Sequence, residues 1–561
     1  MAVSKKNFYL GIDLGTTNSL MSWGKVDLKT KQVEAKLVPI TMTSIGSGIV
    51  KKEILPSFVY FRENEVPIVG EYAKAMLVRQ SSRVVKSVKN YMGTTKTFNF
   101  DGREWKPEEI ASLVLRQIKI SAKDFFGFEP DDVVITVPAS FDTDMRAATI
   151  RAAQLAGFKC TEDDGATRDI LLDEPRAALY DFINRQNREE IPSSLIDFNE
   201  PRNVLVFDLG GGTLDVSFHT AFFNHEKNRV DVDDIAISRY TRIGGDDFDN
   251  LLADRFVEKF RKKVDIDSLN EIEKEMLRAK FVSFAEQIKV ELTSEIENKR
   301  FFGKPVENVT VNLLRGNVWD NRTFEYDLSK REYDEIISPL LGENFTLADV
   351  DKFGHIDYSK AENVIYPILD VLHKAKRKLG GIMPQVHAVL LNGGMTKVHA
   401  VRERLATFFG IEPLTLGDPD KAVARGATSY HYLLHKEPGF KPKIVTSETI
   451  GIRTVGKTVQ HLVPAGTVLP YKSPIIKGFR VFYENIDYFD LIFYRGERKD
   501  IEPPNKELLK RRIYFARPLR KGEEIAIIVK VSRDKVLSFE GWLKDDPTKT
   551  KFTVEVVTDK K

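Results

Sequence analysis

Two short segments carry the same order of chemically useful groups. One is FYLGIDLGTTNSLMSW, with Asp13, Gly15, Thr16 and Thr17; the other is NVLVFDLGGGTLDVSF, with Asp208, Gly210, Gly211, Gly212 and Thr213. In each, an apolar run precedes the aspartate and another follows the threonine, so each reads as a strand-turn-strand unit. Their separation of about 195 residues makes them an internal repeat. Glycines let backbone amides approach an oxyanion closely, threonine hydroxyls donate to it, and each aspartate can hold hydrated magnesium. One such turn alone could equally do no more than close a hairpin, as Asp-Gly-rich turns often do. Two copies facing one another would clamp a polyphosphate.

A third element, VHAVLLNGGMTKVHAVRERLATFFG, is an apolar strand that reaches Gly393 and Gly394 before a helical pattern begins. Its backbone-only surface could admit a flat base or a sugar, or it is simply a tight strand-to-helix connection. By contrast, GIRTVGKT, residues 451–458, fits the phosphate-loop pattern at every position but lacks what that chemistry needs. A phosphate loop opens a helix at its Lys-Thr, whose N-terminus binds the phosphates. Here Pro464, Gly466 and Pro470 follow among β-branched residues, so the stretch reads as a hairpin turn.

The elements that must position these groups fall into two parts. At 561 residues the chain exceeds what one hydrophobic core organises well, so two or more domains are expected. Short apolar runs alternate with helical patterns up to about residue 440, where the helical signal fades. KEPGFKPK, residues 436–443, reads as a linker. Beyond it GTVLP, FRVFYE, YFDLIFYRGE, EEIAIIVKV and KFTVEVV read as strands of a half-buried sandwich. The boundaries are 1–435, a linker over 436–446, and 447–561.

The composition is that of a globular chain, 42% hydrophobic and 30% charged. A net charge of +3 from 85 basic and 82 acidic residues favours neither nucleic acid nor anionic membrane, and runs such as Lys510 to Arg512 read as solvated faces. The single cysteine, Cys160, excludes an internal disulfide framework and reads as a buried small residue in a reducing compartment. Asp13 interrupts the N-terminal apolar run before a signal peptide could form, and no segment has about 18 consecutive apolar residues, so no membrane span is expected. The expected location is the cytoplasm.

The chain resembles the seventy-kilodalton heat-shock chaperone family, of which the bacterial DnaK-type proteins are familiar members. The resemblance rests on GIDLGTTNS, VVITVPASFDTDMRAAT, LDEPRAALY, VFDLGGGTLDVS, RIGGDDFD, AEQIKVELTS, LNGGMTKV and DPDKAVARGA, and continues at IGIRTVGKT, TVLP and YRGER. It implies an actin-like α/β ATPase domain, two lobes around a nucleotide cleft, followed by an all-β peptide-binding sandwich. It also implies ATP or ADP with magnesium, and potassium as a further cation. Asp13, Glu174 and Asp208 would organise the magnesium shell through water, with Thr16, Thr17 and Thr213 on phosphate oxygens beside Gly15, Gly210, Gly211, Gly212, Gly244 and Gly245. Lys89 matches the catalytic lysine, with Lys86 one helical turn away as the alternative. Glu286, Lys289 and Thr293, on one face of a helix, would hold base and ribose together with Gly393, Gly394, Lys397 and Asp420. Pro138 and Arg146 match the interdomain switch. Ile452, Val455, Phe479, Phe489 and Leu491 fall near the peptide cleft, or are plain core.

The implied activity is ATP-dependent binding of extended apolar segments of unfolded or client polypeptides by β-augmentation, with a J-domain co-chaperone and a nucleotide exchange factor as partners. The chain departs from the family pattern in several places. Met395 and Lys397 replace a serine and an arginine, EPGFKPKIVTSET replaces a leucine-rich linker, no helical lid is expected, and insertions fall near CTEDDGATRD and GENFTLADVDKFGHIDYSKA. A lysine cannot stack flat over adenine as arginine does. Two other functions stay open: a nucleotide-sensing scaffold or dedicated assembly factor with an uncoupled or lost peptide cycle, and a small-molecule kinase or filament former on the same fold, against which the C-terminal β region argues.

Overall fold

The computed structural model describes residues 8–27, 32–161, 168–238, 241–353, 362–415, 417–436, 440, 442–503, 505–533, 535–548 and 550–555. Its first three quarters hold two sheets built on one plan. In the first, strands Tyr9–Leu14 and Asn18–Val26 form an antiparallel hairpin, and Val134–Val137 runs parallel to Tyr9–Leu14 on the other side. In the second, Arg202–Leu209 and Leu214–Asn224 form the hairpin, and Ala388–Asn392 runs parallel to Arg202–Leu209. The register repeats as well, because Thr136 is the parallel neighbour of Asp13 and Asn392 that of Asp208. The repeat read in the two sequence segments is therefore a repeat of whole sheets. Residues 204–209 are buried without alternation, as expected of a strand covered on both faces by helices.

Leu10, Ile12, Ile135 and Leu115 belong to the core of the first sheet, and Phe207, Val216, Phe256 and Phe281 to that of the second. A third cluster joins them. Phe182 of the helix Glu174–Asn187 and Ala427 and Tyr430 of the helix Ala422–Lys436 pack with Val134 of one sheet and Val206 of the other. These two helices thus tie the sheets together on one side and leave a cleft on the other.

The C-terminal region is a sandwich. One sheet runs in the order 458–463, 450–454, 486–495, 506–519, and the other 471–472, 524–531, 537–543, 552–555, with 476–480 also on strand 524–531. Leu491 and Phe493 of the first meet Val529 and Phe539 of the second in one core, the two Phe rings lying 4.8 Å apart. The GIRTVGKT stretch is a hairpin: strand Ile450–Thr454, a tight turn Val455–Lys457, and the antiparallel strand Thr458–Val463. The expected strand FRVFYE is shorter than its pattern suggests. It ends at Arg480, after which Val481 is buried while Phe482 and Tyr483 turn to solvent.

Residues 437–439 and 441 of the expected linker lie outside the described residues, as do 162–167 and 354–361 of the two insertions. The rest of the linker is well held. Lys443 forms a parallel bridge with Asp233, its carbonyl accepts from Arg176 at 2.8 Å, and Val445 packs with Ala139 and Ile237. Behind it Arg176 and Asp234 form a fully buried ion pair.

Candidate functional site

The cleft between the two sheets has a volume of about 750 Å³. Of the residues expected to hold nucleotide, Asp13, Gly15, Thr16, Thr17, Lys89, Glu174, Asp208, Gly210, Gly211, Thr213, Gly245, Glu286, Lys289, Thr293, Gly393, Gly394, Lys397 and Asp420 all line it. Gly212 and Gly244 do not; they pack against each other behind the turn, where a Cβ on Gly244 would lie 2.4 Å from the Gly212 nitrogen. Pro138 and Arg146 do not line it.

At the inner end the two hairpin turns meet. A Cβ on Gly211 would sit 1.9 Å from Thr17 Oγ1, so only glycine lets the turns approach this closely. Thr17 Oγ1 is itself buried without a hydrogen-bond partner, which leaves a donor for an oxyanion. Lys89 is buried in an ion pair with Glu174, the first residue of the helix 174–187. Lys86 sits at the rim, 38% exposed and 3.9 Å from Asp246. The fold thus separates the two candidate lysines and seats Lys89 among the carboxylates.

Those carboxylates are too many for one lysine. Burial and then the neighbouring Glu174 push the Asp13 carboxyl up to about 7, against Lys89 and the Thr136 hydroxyl, which donates at 3.3 Å. Burial, Glu174 and Asp215 push Asp208 well above its ordinary range, against the Asn392 amide at 2.5 Å. Asp215 is likewise pushed up to about 7 by burial and Glu174, although Ser140 bonds it. Such raised values mark a site short of positive charge, which a hydrated divalent cation would supply. The donor set fits magnesium: hard carboxylate oxygens with room for water.

Asp215, Thr136, Asn392 and Ser140 went unremarked in the sequence. Asp215 had a visible signal, since the first hairpin carries Leu20 at the equivalent position opposite its aspartate. The others are placed by strand register between distant segments.

The outer end of the cleft is crossed by ion pairs. The helix Glu271–Phe301 starts at an Asn270 cap that accepts from the Glu273 amide at 3.0 Å, and its length presents Glu286, Lys289 and Thr293 to the cleft. Glu286 bonds Lys74 of the opposite lobe at 2.9 Å, and Lys289 pairs with Asp249 at 2.7 Å. Lys397 pairs with Asp420 at 3.1 Å.

Arg146 is buried, donating to the Phe141 carbonyl at 2.9 Å and to Asp173 Oδ1 at 2.5 Å, with the Pro138 carbonyl at 3.3 Å. In the C-terminal sandwich Ile452 and Leu491 are buried, Phe479 and Phe489 are half-buried against the same core, and Val455 is exposed on the turn. A separate cluster of Asp132, His431 and His435 has ligand atoms close together. His431 Nδ1 accepts the Leu10 amide at 2.8 Å, so its proton sits on Nε2, which faces Asp132 and His435.

A family model described as "Hsp70 protein" matches residues 9–346 and 351–560. The chain is 30% identical over 503 residues to "Chaperone protein DnaK" of Thermosipho melanesiensis, covering 88% of this chain and 71% of that one. It is 28% identical over 501 residues to the protein of the same name from Thermosipho africanus and 29% over 504 residues to that of Thermotoga petrophila, with the same two coverages. With the duplicated sheets, the two glycine-bearing turns that meet in the cleft and a family match along nearly its whole length, the chain belongs to the Hsp70 family.

Proposed function

We propose that this protein is an ATP-hydrolysing chaperone in which residues 1–435 bind and cleave the nucleotide, 436–446 link, and 447–561 hold extended apolar segments of client polypeptides. The observation that carries the reading is the meeting of two hairpin turns with matched aspartates over a buried Lys89–Glu174 pair. Phosphoryl transfer asks little covalent chemistry of a protein; it asks for positioned charge. Thr17 and Thr213, with the glycine amides, would bind phosphate oxygens. Asp13, Glu174 and Asp208 would order the magnesium hydration shell, and Lys89 would leave Glu174 to offset charge on the transferred phosphoryl group. Magnesium, when bound, neutralises phosphate charge and orders the attacking water.

The family membership and the DnaK relatives support a client-binding role, for which J-domain and exchange-factor partners are expected. Single-turnover hydrolysis of ATP tests the assignment. Lys89→Ala should lower it by about 10²-fold while ATP binding persists. An unchanged rate would refute the role of Lys89 and move it to Lys86.

A further inference from the structure

The C-terminal sandwich leaves one long strand half-paired. Lys506–Leu519 ends its sheet and bonds Ile486–Arg495 on one side; its other edge meets no strand among the described residues. Such an edge offers backbone N–H and C=O groups to any chain that lies alongside. Proline withdraws that offer, but the strand's one proline is Pro518, next to its end. Residues 510–517 therefore stay open over about 27 Å, more than the ~17–20 Å of an ordinary strand. Side chains alternate along this stretch. Ile513 belongs to the core with Phe515 half-buried against it, while Lys510, Arg512 and Tyr514 stand exposed on the outer face. Arg512 sits 4.0 Å from the centre of the Tyr488 ring and bonds Asp490 at 2.8 and 3.0 Å, both on the neighbouring strand. Tyr514 is 68% exposed, and Lys510 forms no ion pair among the described residues.

Charge on an edge strand can serve simply to keep it from pairing. Here the charge has one sign: the strand carries five basic residues and one acidic, and Arg520 and Lys521 follow it directly. Such a row discriminates between partners. A second copy of the same edge would bring like charges to about 5 Å and be repelled, whereas an acidic strand would be drawn in. We propose that this edge docks an extended segment of a partner protein, with acidic side chains at alternate positions and apolar ones between. On the outer face the acidic groups would meet Lys510 and Arg512, because Asp490 occupies only one side of the Arg512 fork. On the inner face the apolar groups would extend the core beside Ile513 and Phe515. Backbone pairing then supplies affinity and the alternation supplies specificity. A single strand of nucleic acid would also meet cations and rings, but it has no ladder of N–H and C=O groups for the open edge. The surface is separate from the apolar peptide cleft of the proposed function and does not depend on that reading.

The test uses the full chain and fluorescence anisotropy of a labelled peptide of alternating Glu and Val, with a Lys–Val counterpart and an all-apolar peptide for comparison. The Glu–Val peptide should bind, and the Lys–Val peptide should bind at least about tenfold more weakly. Lys510→Glu should weaken the Glu–Val peptide by about tenfold and Tyr514→Ser by about threefold. Both side chains are exposed, so thermal unfolding should hardly move in either variant. On binding, backbone amides within 510–517 should exchange at least about tenfold more slowly, a change that attraction between charges alone does not produce. The unlabelled all-apolar peptide should not displace the Glu–Val peptide. Failure of the Glu–Val peptide to bind, equal affinity for the Lys–Val peptide, or unchanged affinity in Lys510→Glu would overturn the proposal. Displacement by the all-apolar peptide would place the contact in the cleft instead, and binding without slowed exchange in 510–517 would leave the strand edge out of it; either result overturns the proposal. So would a single-stranded oligonucleotide that displaces the peptide at equal or lower concentration than the peptide itself requires.

Discussion

Gly210 and Gly211 are neighbours in one turn, and the structure separates them sharply. A methyl group on Gly211 would lie 1.9 Å from Thr17 Oγ1 and 2.8 Å from Thr17 Cβ, whereas one on Gly210 would meet only the Thr213 carbonyl at 3.8 Å. Neither has a left-handed φ, so alanine costs little in the backbone at either position. Ordinary contact begins near 3.4 Å, so Gly211→Ala must part the two turns by about 1.5 Å or swing Thr17 aside. Displacement of reacting groups by about 1 Å costs on the order of 10²-fold in rate. Gly211→Ala should therefore lower single-turnover ATP hydrolysis by about 10²-fold, equivalent to about 2.7 kcal/mol. Gly210→Ala should remain within about threefold of the unaltered protein. Both turns face the cleft, so thermal unfolding should move little in either variant. Equal losses in the two variants, or normal hydrolysis in Gly211→Ala, would refute the idea that apposed turns form the phosphate clamp.

Two further outcomes follow from the site. Lys397 is held by Asp420 and cannot lie flat on a base, so Lys397→Arg should tighten ATP binding by about 2- to 30-fold, measured by calorimetry; no gain would discard the stacking argument. The Asp13 carboxyl is pushed up to about 7 and that of Asp208 well above its ordinary range, and a bound cation requires the ionised forms. Binding of magnesium nucleotide should therefore release protons at pH 7, and the part of the release that comes from Asp13 should fade as the pH rises past 8. Calorimetry in buffers of different ionisation enthalpy reads this directly, and buffer-independent heats at pH 7 would contradict it.

Much of this arrangement was legible in the residues, for identifiable reasons. The repeat was visible because each copy needs an aspartate, glycines and a threonine at a turn between two apolar strands, which is a local pattern. The helix bearing Glu286, Lys289 and Thr293 was visible because spacings of three and four put side chains on one face. The hairpin at GIRTVGKT was visible on local grounds as well, since the residues after it favour strand. What escaped depends on register or distance. Thr136 and Asn392 reach the aspartates only because a parallel strand pairs in one particular register. Lys74 meets Glu286 across 212 residues of chain. The strand Lys506–Leu519 was hidden by its basic run, whose Arg512 turns out to sit over Tyr488 and bond Asp490 at 2.8 Å. Lys535 is silent in the sequence for the same reason, since nothing nearby announces its buried partner Asp173, 362 residues away.

The measurement that bears most directly on the account is the release of a labelled, extended apolar peptide from the full chain, followed by fluorescence anisotropy in ADP and then in ATP with magnesium. The linker strand and the Lys535 junction connect the sandwich to the cleft-bearing region, so under the proposed function ATP should accelerate release relative to ADP. Identical release in the two nucleotides, or no peptide binding in either, would contradict it.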